Sequence, residues 1–325
     1  MTLAELERTP AFAVLGPGFF DDGRWRLFLP DDAGPHALWL AAFDERPRAH
    51  RGAFTPFTPD WHGVGALDVT LHDEGFETNV TRIRERIAAG DVYQVNLTIR
   101  ATVRHASGSA LLSKLCANAV PRFAAWVRLP GVGEFVSASP ELLVETRAKW
   151  VHAEPMKGTA APGQRELLEA SAKDRAELAM ITDLTRNDLQ QLCVRGSVRV
   201  TAARRFIELP YVLQAVSDVE GVLRDDRSLG DVLSLMHPGG SVTGAPRPAA
   251  LSVIHELEPT SRRFYCGTLG VETNEGLRAA LLIRTATKLA PDSWEFGVGS
   301  GITWDSDPAA ELEEVRLKLG ALRGA

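Results

Sequence analysis

Cysteine is scarce in this chain of 325 residues: there are three, Cys116, Cys193 and Cys266, odd in number and far apart. That argues against a disulfide framework and predicts reduced, buried thiols in a cytoplasmic protein. No stretch of about 18 uninterrupted apolar residues occurs. The first ten residues, MTLAELERTP, carry neither a basic n-region nor an apolar h-region, so neither membrane insertion nor secretion is expected. There is no Lys/Arg run or basic stripe, and the formal charge is -6, so nucleic acid is not an expected partner. Several catalytic signatures are missing too. No GxSxG nucleophile elbow occurs, and His255-Glu256 lacks the second histidine of a zincin. Gly239 to Gly244 imitates a P-loop spacing but is followed by Ala245-Pro246 where Lys-Ser/Thr is required. Serine-triad hydrolysis, a zinc site and ATP or GTP binding are therefore not expected.

What is present is a hydrophobic share of 45%, ample for an extensive core. Residues 1–75 carry short apolar bursts (Ala11 to Leu15, Trp25 to Leu29, Ala37 to Ala42) between Gly, Pro and Asp clusters. These predict short strands and turns, a short N-terminal segment of a β-rich fold, with Thr55 to Asp60 the nearest candidate for a linker. From residue 76 onward the texture changes. Val80, Ile83 and Ile87 fall at helical spacing within Asn79 to Ala89, and Gly90 stands where a helix stop belongs. Strands are predicted over Val92 to Val103, Phe123 to Arg128, Glu134 to Ala138, Leu142 to Glu145 and Trp150 to Glu154, and helices over Asp174 to Leu192, Pro248 to Leu257 and Ala309 to Leu319. Without regular strand-helix alternation, this order predicts an α+β fold rather than a doubly wound sheet.

Three constellations could carry chemistry. Pro155-Met156-Lys157-Gly158-Thr159 sets a lysine at the end of a strand pattern; to act as a nucleophile it must shed its proton. Glu311, Glu314 and Lys318 share one face of the C-terminal helix, and Asp174 and Glu177 stand three residues apart on another, so carboxylates facing each other across two helices suit a hard cation such as magnesium. The glycine-rich stretches Gly297 to Gly301 and Gly239 to Gly244 read as loops whose amides could approach an anion. Each has a plainer reading as well: a surface lysine beside a turn, a solvated helix face, tight turns before helices.

Taken together and in order, these segments resemble the chorismate-utilising enzymes, which include anthranilate synthase component I, aminodeoxychorismate synthase component I and the isochorismate and salicylate synthases. The matching blocks are GDVYQVNL, SASPELL, PMKGT, SAKDRAELAMITDLTRNDL, HPGGSVTGAP, YCGTLG, IRTA and GSGITWDSDPAAELEE, spread over roughly residues 76 to 320. The resemblance implies two packed antiparallel β-sheets with outer helices and a central cleft, residues 76–325 forming the chorismate-binding catalytic domain. It implies a Mg2+ cofactor held by Glu177 and Glu314, with Asp174 and Glu311 nearby and acting through water. It places Thr159, Tyr265, Arg284, Lys318, the amides of Gly299 and Gly301, and Thr243 and Gly244 around the substrate carboxylates. Glu141 matches the general acid that assists departure of the ring hydroxyl, and Lys157 the covalent nucleophile.

Two positions discriminate within the family. Gln94 stands where the water-adding members carry lysine, which implies an ammonia user. Lys157 stands where anthranilate synthases carry alanine, which implies the branch that makes aminodeoxychorismate, the precursor of p-aminobenzoate in folate synthesis. Nothing in the chain resembles an amidotransferase nucleophile site or a lyase domain, so a glutamine amidotransferase partner and a downstream aminodeoxychorismate lyase are expected. Gln214 departs from the family's usual histidine, Ala160 to Gly163 from a more common Arg-Pro-Arg run, and the N-terminal part is short. The alternatives are anthranilate synthase component I and a non-catalytic chorismate-binding subunit.

Overall fold

The computed structural model describes residues 67–117, 121–129, 133–209, 212–273 and 276–323, with three strands at 12–15, 25–30 and 38–43. Along the chain come β1 (Phe12–Leu15), β2 (Trp25–Pro30), β3 (Leu38–Phe43), β4 (Asp68–His72), α1 (Phe76–Ala88), β5 (Gln94–Arg104) and α2 (Gly108–Leu115). Five strands follow: β6 (Phe123–Leu129), β7 (Gly133–Ser139), β8 (Leu142–Arg147), β9 (Trp150–Ala153) and β10 (Met156–Ala160). Then come α3 (Arg165–Ala170), α4 (Ala172–Leu192), β11 (Arg199–Leu209), β12 (Val212–Val222), α5 (Leu229–Met236), α6 (Gly240–Thr243), β13 (Gly244–Ala245) and α7 (Arg247–Leu257). The chain ends with β14 (Thr268–Thr273), β15 (Gly276–Leu281), β16 (Thr285–Ala290), β17 (Ser293–Ile302), α8 (Pro308–Lys318) and α9 (Gly320–Arg323).

The strands form two antiparallel sheets. One runs β1-β6-β7-β16-β17-β5-β13 with β4 also on β5, the other β10-β12-β9-β8-β15-β14-β2-β3 with β11 also on β12. Strand alternation explains how they stack. On β6, Phe123, Ala125 and Val127 join Phe135 and, from the second sheet, Leu142, Leu269, Val271, Ala280 and Leu282 in one buried cluster. The intervening Ala124 and Trp126 point the other way, into a core closed by Phe76, Val80 and Ile83 of α1, Val253 and Leu257 of α7 and Val315 of α8. The outer face of the second sheet is covered by Leu189 and Leu192 of α4 and Val232, Leu233 and Met236 of α5. This is the expected α+β architecture of two packed antiparallel sheets with outer helices.

The predicted elements fall on observed ones with ends moved by a few residues. Gly90, at φ 84, ends α1 as its spacing foretold. Gly297 to Gly301, read as a loop, is instead the second half of β17, paired residue for residue with β5. The β11-β12 hairpin was not foreseen. The linker candidate at residues 55–60 lies outside the described residues. All three cysteines are free and buried, and burial pushes the Cys116 thiol up to about 12. Among the described residues no helix is long and apolar enough to cross a membrane.

Candidate active site

The second half of β17 carries the expected substrate positions Gly299 and Gly301. Thr98 faces Gly299 and Asn96 faces Gly301 across the β5-β17 ladder. The Thr98 amide donates away from β17 to Glu258 Oε1 (2.9 Å), and the Asn96 carbonyl accepts from Arg262 Nη2 (2.7 Å), also away from it. These are therefore pairs whose backbone groups point outward from the ladder, and the amides of Gly299 and Gly301 face the other edge of β17. Among the described residues β16 pairs with that edge only as far as Phe296. Lys318 Nζ donates to the Gly299 carbonyl on that edge at 2.7 Å and lies 2.7 Å from Glu314 Oε1. The missing side chains matter equally. A Cβ at Gly297 would strike the Tyr265 ring, and one at Gly301 would collide with Gln94 Nε2 and lie 3.2 Å from Lys157 Nζ. Gly301 thus makes room for an amide and an amine side by side.

Lys157 reaches this point from β10. The β10-β12 register shifts between Met156 and Thr159, with Gly158 at φ 89 in the irregular stretch. A Cβ on Gly158 would press on Asp174 and Leu168 at 3.0 Å, so glycine lets β10 lie close against α3 and α4. Lys157 Nζ is 3.8 Å from Glu177 Oε2, with only 15% of the lysine side chain exposed. Gln94 and Gln214 are both buried, and neither Oε1 makes a hydrogen bond among the described residues. Gln214 sits opposite Thr159 in the β10-β12 register. Two buried, unpartnered carboxamide oxygens are costly unless something else completes them.

Glu141 follows the Ser139-Pro140 turn between β7 and β8. Its amide donates to Ser139 Oγ (3.2 Å) and its Oε1 accepts from Ser241 Oγ (2.7 Å). Burial pushes the carboxyl up to about 7, against the pull of Ser241 and Lys157 and helped by Glu154. Near neutral pH it is a carboxyl ready either to give or to take a proton.

The acidic cluster lies between α4 and α8. Lys173 Nζ stands 4.0 Å from Glu177 Oε1 and 3.6 Å from Glu311 Oε1. Burial raises the Glu177 carboxyl despite the two lysines beside it, whereas at Glu314 Lys318 and Lys173 outweigh burial and hold the carboxyl low. Glu311 is buried, with Ser306 Oγ at 2.6 Å on one oxygen and Ser300 Oγ on the other. Asp174 is placed by the cap that Ser171 makes on its amide.

The remaining expected positions are also located. Tyr265 is buried against Gly297 with Arg100 5.7 Å from its ring centre, and burial raises its hydroxyl far above the usual range. Arg284 sits at φ 52, its carbonyl accepting from the Ala138 amide, a left-handed conformation uncommon for a residue other than glycine. The contacts of Thr243 and Gly244 are internal: the Thr243 hydroxyl donates to the Gly239 carbonyl at 2.9 Å, and Gly244 fits tightly against the Gln94 carbonyl. Ser241, Lys173, Ser300 and Ser306 were not singled out from sequence, although Lys173 stands four residues before Glu177. The trio whose ligand atoms lie within 4.8 Å of one another among the described residues is a different one, His152, Glu154 and Asp218. Arg205 pairs with both Glu154 and Asp218, so that trio is an ion-pair network.

A lysine and an amide over bare backbone, a buried acid and a carboxylate cluster come together where the resemblance places its cleft. Comparison with known proteins gives the class a name. Residues 29–324 match the chorismate binding enzyme family, and the chain belongs to it. Over 313 residues it is 35% identical to anthranilate synthase component 1 of Streptomyces coelicolor, an overlap of 93% of this chain and 60% of that protein. Over 272 residues it is 34% identical to aminodeoxychorismate synthase component 1 of Bacillus subtilis, covering 81% and 57%. The crystal structure of anthranilate synthase component I from Streptococcus pneumoniae TIGR4 aligns with a TM-score of 0.72 at 28% identity, over 80% of this chain and 60% of that one. The chain thus spans about three-fifths of the length of these relatives.

Proposed function

We propose that this chain converts chorismate and ammonia to 4-amino-4-deoxychorismate. The observation that carries the reading is the meeting of Lys157 Nζ and the Gln94 amide at Gly301. In this mechanism Lys157, as a free amine, attacks ring carbon two while the carbon-four hydroxyl takes the Glu141 proton and leaves as water. Ammonia then adds at carbon four and expels the lysine, and the proton it sheds restores Glu141. The outward amides of Gly299 and Gly301, with Arg284 and Lys318, hold the substrate carboxylates. Tyr265 and Thr159 border the same space.

The donor set near α4 and α8 fits magnesium. Carboxylate oxygens are its preferred ligands, and the Lys173 ammonium, 3.6 Å from Glu311, marks where positive charge is welcome. Glu177 and Glu314 would hold the ion, with Asp174 and Glu311 acting through water. When bound, magnesium would anchor and polarise the ring carboxylate. The ammonia source would be a glutamine amidotransferase partner, and a lyase would act on the product.

A second reading, anthranilate synthase component I, is favoured by the name of the Streptomyces coelicolor relative. Product identification by mass and chromatography with chorismate, ammonium and magnesium separates the two. Aminodeoxychorismate is the expected product, and anthranilate would replace this reading by the second. Lys157→Ala should abolish turnover; full aminodeoxychorismate production by that variant would remove the nucleophile role.

A further inference from the structure

Behind Glu141, on the side facing α4 and α7, lies a cavity of about 20 Å³, bordered by Glu141, Ser241, Thr185, Asp188 and Arg247 among others. That volume holds one water, for which about 10–15 Å³ and two to four polar partners suffice. The far wall is an ion pair. Arg247 Nη2 bonds Asp188 Oδ2, and Arg247 Nη1 donates to the Leu235 carbonyl at 2.9 Å. Arg247 Nε is buried and makes no hydrogen bond among the described residues. A buried guanidinium N–H with no acceptor is costly, and a water in this cavity is the acceptor its lining allows.

We infer that one ordered water in this cavity accepts from Arg247 Nε and donates to Glu141 and Asp188, so that the Asp188-Arg247 pair positions the acid through it. The role assigned to Glu141 rests on the proposed synthase reading; the water and its effect on the carboxyl do not. The charged groups facing Glu141 are Lys157 from β10, Glu154 beyond β9, Asp188 from α4 and Arg247 from α7. His237 beside Arg247 is kept neutral by burial and by that arginine, pushed down to about 4. When Glu141 gives its proton to the leaving hydroxyl, a carboxylate remains in a dry site. A hydrogen bond from the water stabilises that carboxylate and no other bond need change. Asp188 and Arg247 are thus positioning residues.

Two variants move the Glu141 carboxyl in opposite directions. Thr185→Ile puts a larger apolar side chain into the cavity, fills it, expels the water and raises the carboxyl pKa by about half a unit or more. Asp188→Asn leaves the Arg247 charge uncompensated and lowers it by a similar amount. The readout is a carboxyl titration of the full-length chain without substrate, by infrared or carbon-13 spectroscopy, with Glu141→Gln identifying the signal. A wild-type crystal structure provides the second measurement, in which density for the water between Glu141 and Arg247 Nε is expected. In turnover, the alkaline limb of kcat should follow the same shifts, with KM for ammonium changed less than about twofold.

An unmoved carboxyl in Thr185→Ile, or a cavity without water density, overturns the inference. So does a rise in KM for ammonium with no titration shift, which would mark the cavity as an ammonia passage. If Asp188→Asn does not fold, Thr185→Ile decides alone. If the wild type turns over no chorismate while the titration and density come out as expected, the synthase reading fails and the water-linked carboxyl stands.

Discussion

The protein carries two charged assemblies, and they are built differently. On the β8-β9-β12 surface, His152 sits between Glu145 at 3.4 Å and Asp218 at 2.9 Å, Arg278 pairs Glu145 at 2.7 Å, and Arg205 pairs Asp218 and Glu154. Arg122 adds a second partner to Glu154 at 2.6 Å. The acids are matched by planar, multidentate cations, and the network spans strands that are far apart in sequence. In the cleft, by contrast, the counter-cations are lysines at 3.6 to 4.0 Å from Glu177 and Glu311, and two buried amide oxygens have no partner among the described residues. What differs is saturation: arginines saturate the first set of acids, whereas Glu177 and the two amide oxygens are left short of partners, as groups kept for a ligand would be.

The sharpest challenge to that contrast is Glu141→Gln. If the cleft is chemical, removing its acid lowers kcat by about 100- to 10,000-fold with little change in unfolding temperature. A loss of stability without loss of turnover would reverse the assignment. Next comes Arg205→Met in the other assembly. It takes one partner from each of Glu154 and Asp218, which keep Arg122 and His152, and should destabilise by about 1.5–3 kcal/mol, the range for hydrogen bonds to charged groups. Chemical denaturation measures this, and chorismate turnover per folded molecule should be unchanged. The smallest effect is one of pH. Hydrogen bonds and ion pairs to Glu145 and Asp218 outweigh burial and raise the His152 imidazole above its ordinary 6.5. Its contribution is therefore complete below 6.5 and lost as pH climbs through the raised value. The Glu145 carboxyl is held at about 2, against burial, by His152 and Arg278, so its contribution is present above about 4.5 and disappears as pH falls toward 2. Melting temperature against pH should show both slopes, and His152→Gln should remove the alkaline one.

Much of this was legible from the chain before its structure. The apolar bursts at Phe123 and Leu142 read as strands because burial on a sheet face leaves a short local pattern. The β11-β12 hairpin escaped, because RVTAARRFIEL carries arginines on a surface network that periodicity does not reveal. Glycines misled at β17, since Gly-x-Gly-x-Gly reads as a turn and here clears space on a strand. In the cleft, Lys157 and Glu141 were visible through ordered blocks of resemblance. Ser241, one hundred residues from Glu141, and the Asp188-Arg247 pair were not, because only tertiary packing brings them to the acid.

The bare stripe on β17 also says how this protein can drift. Strands favour branched and aromatic residues, and each glycine in a strand gives up roughly 0.5–1 kcal/mol of stability. Valine at Gly297 or Gly301 would regain that propensity but drive its side chain into Tyr265 or between Gln94 and Lys157, so the clash outweighs the gain. At these positions strand propensity and the space beside the strand ask for opposite residues, and the hollow decides.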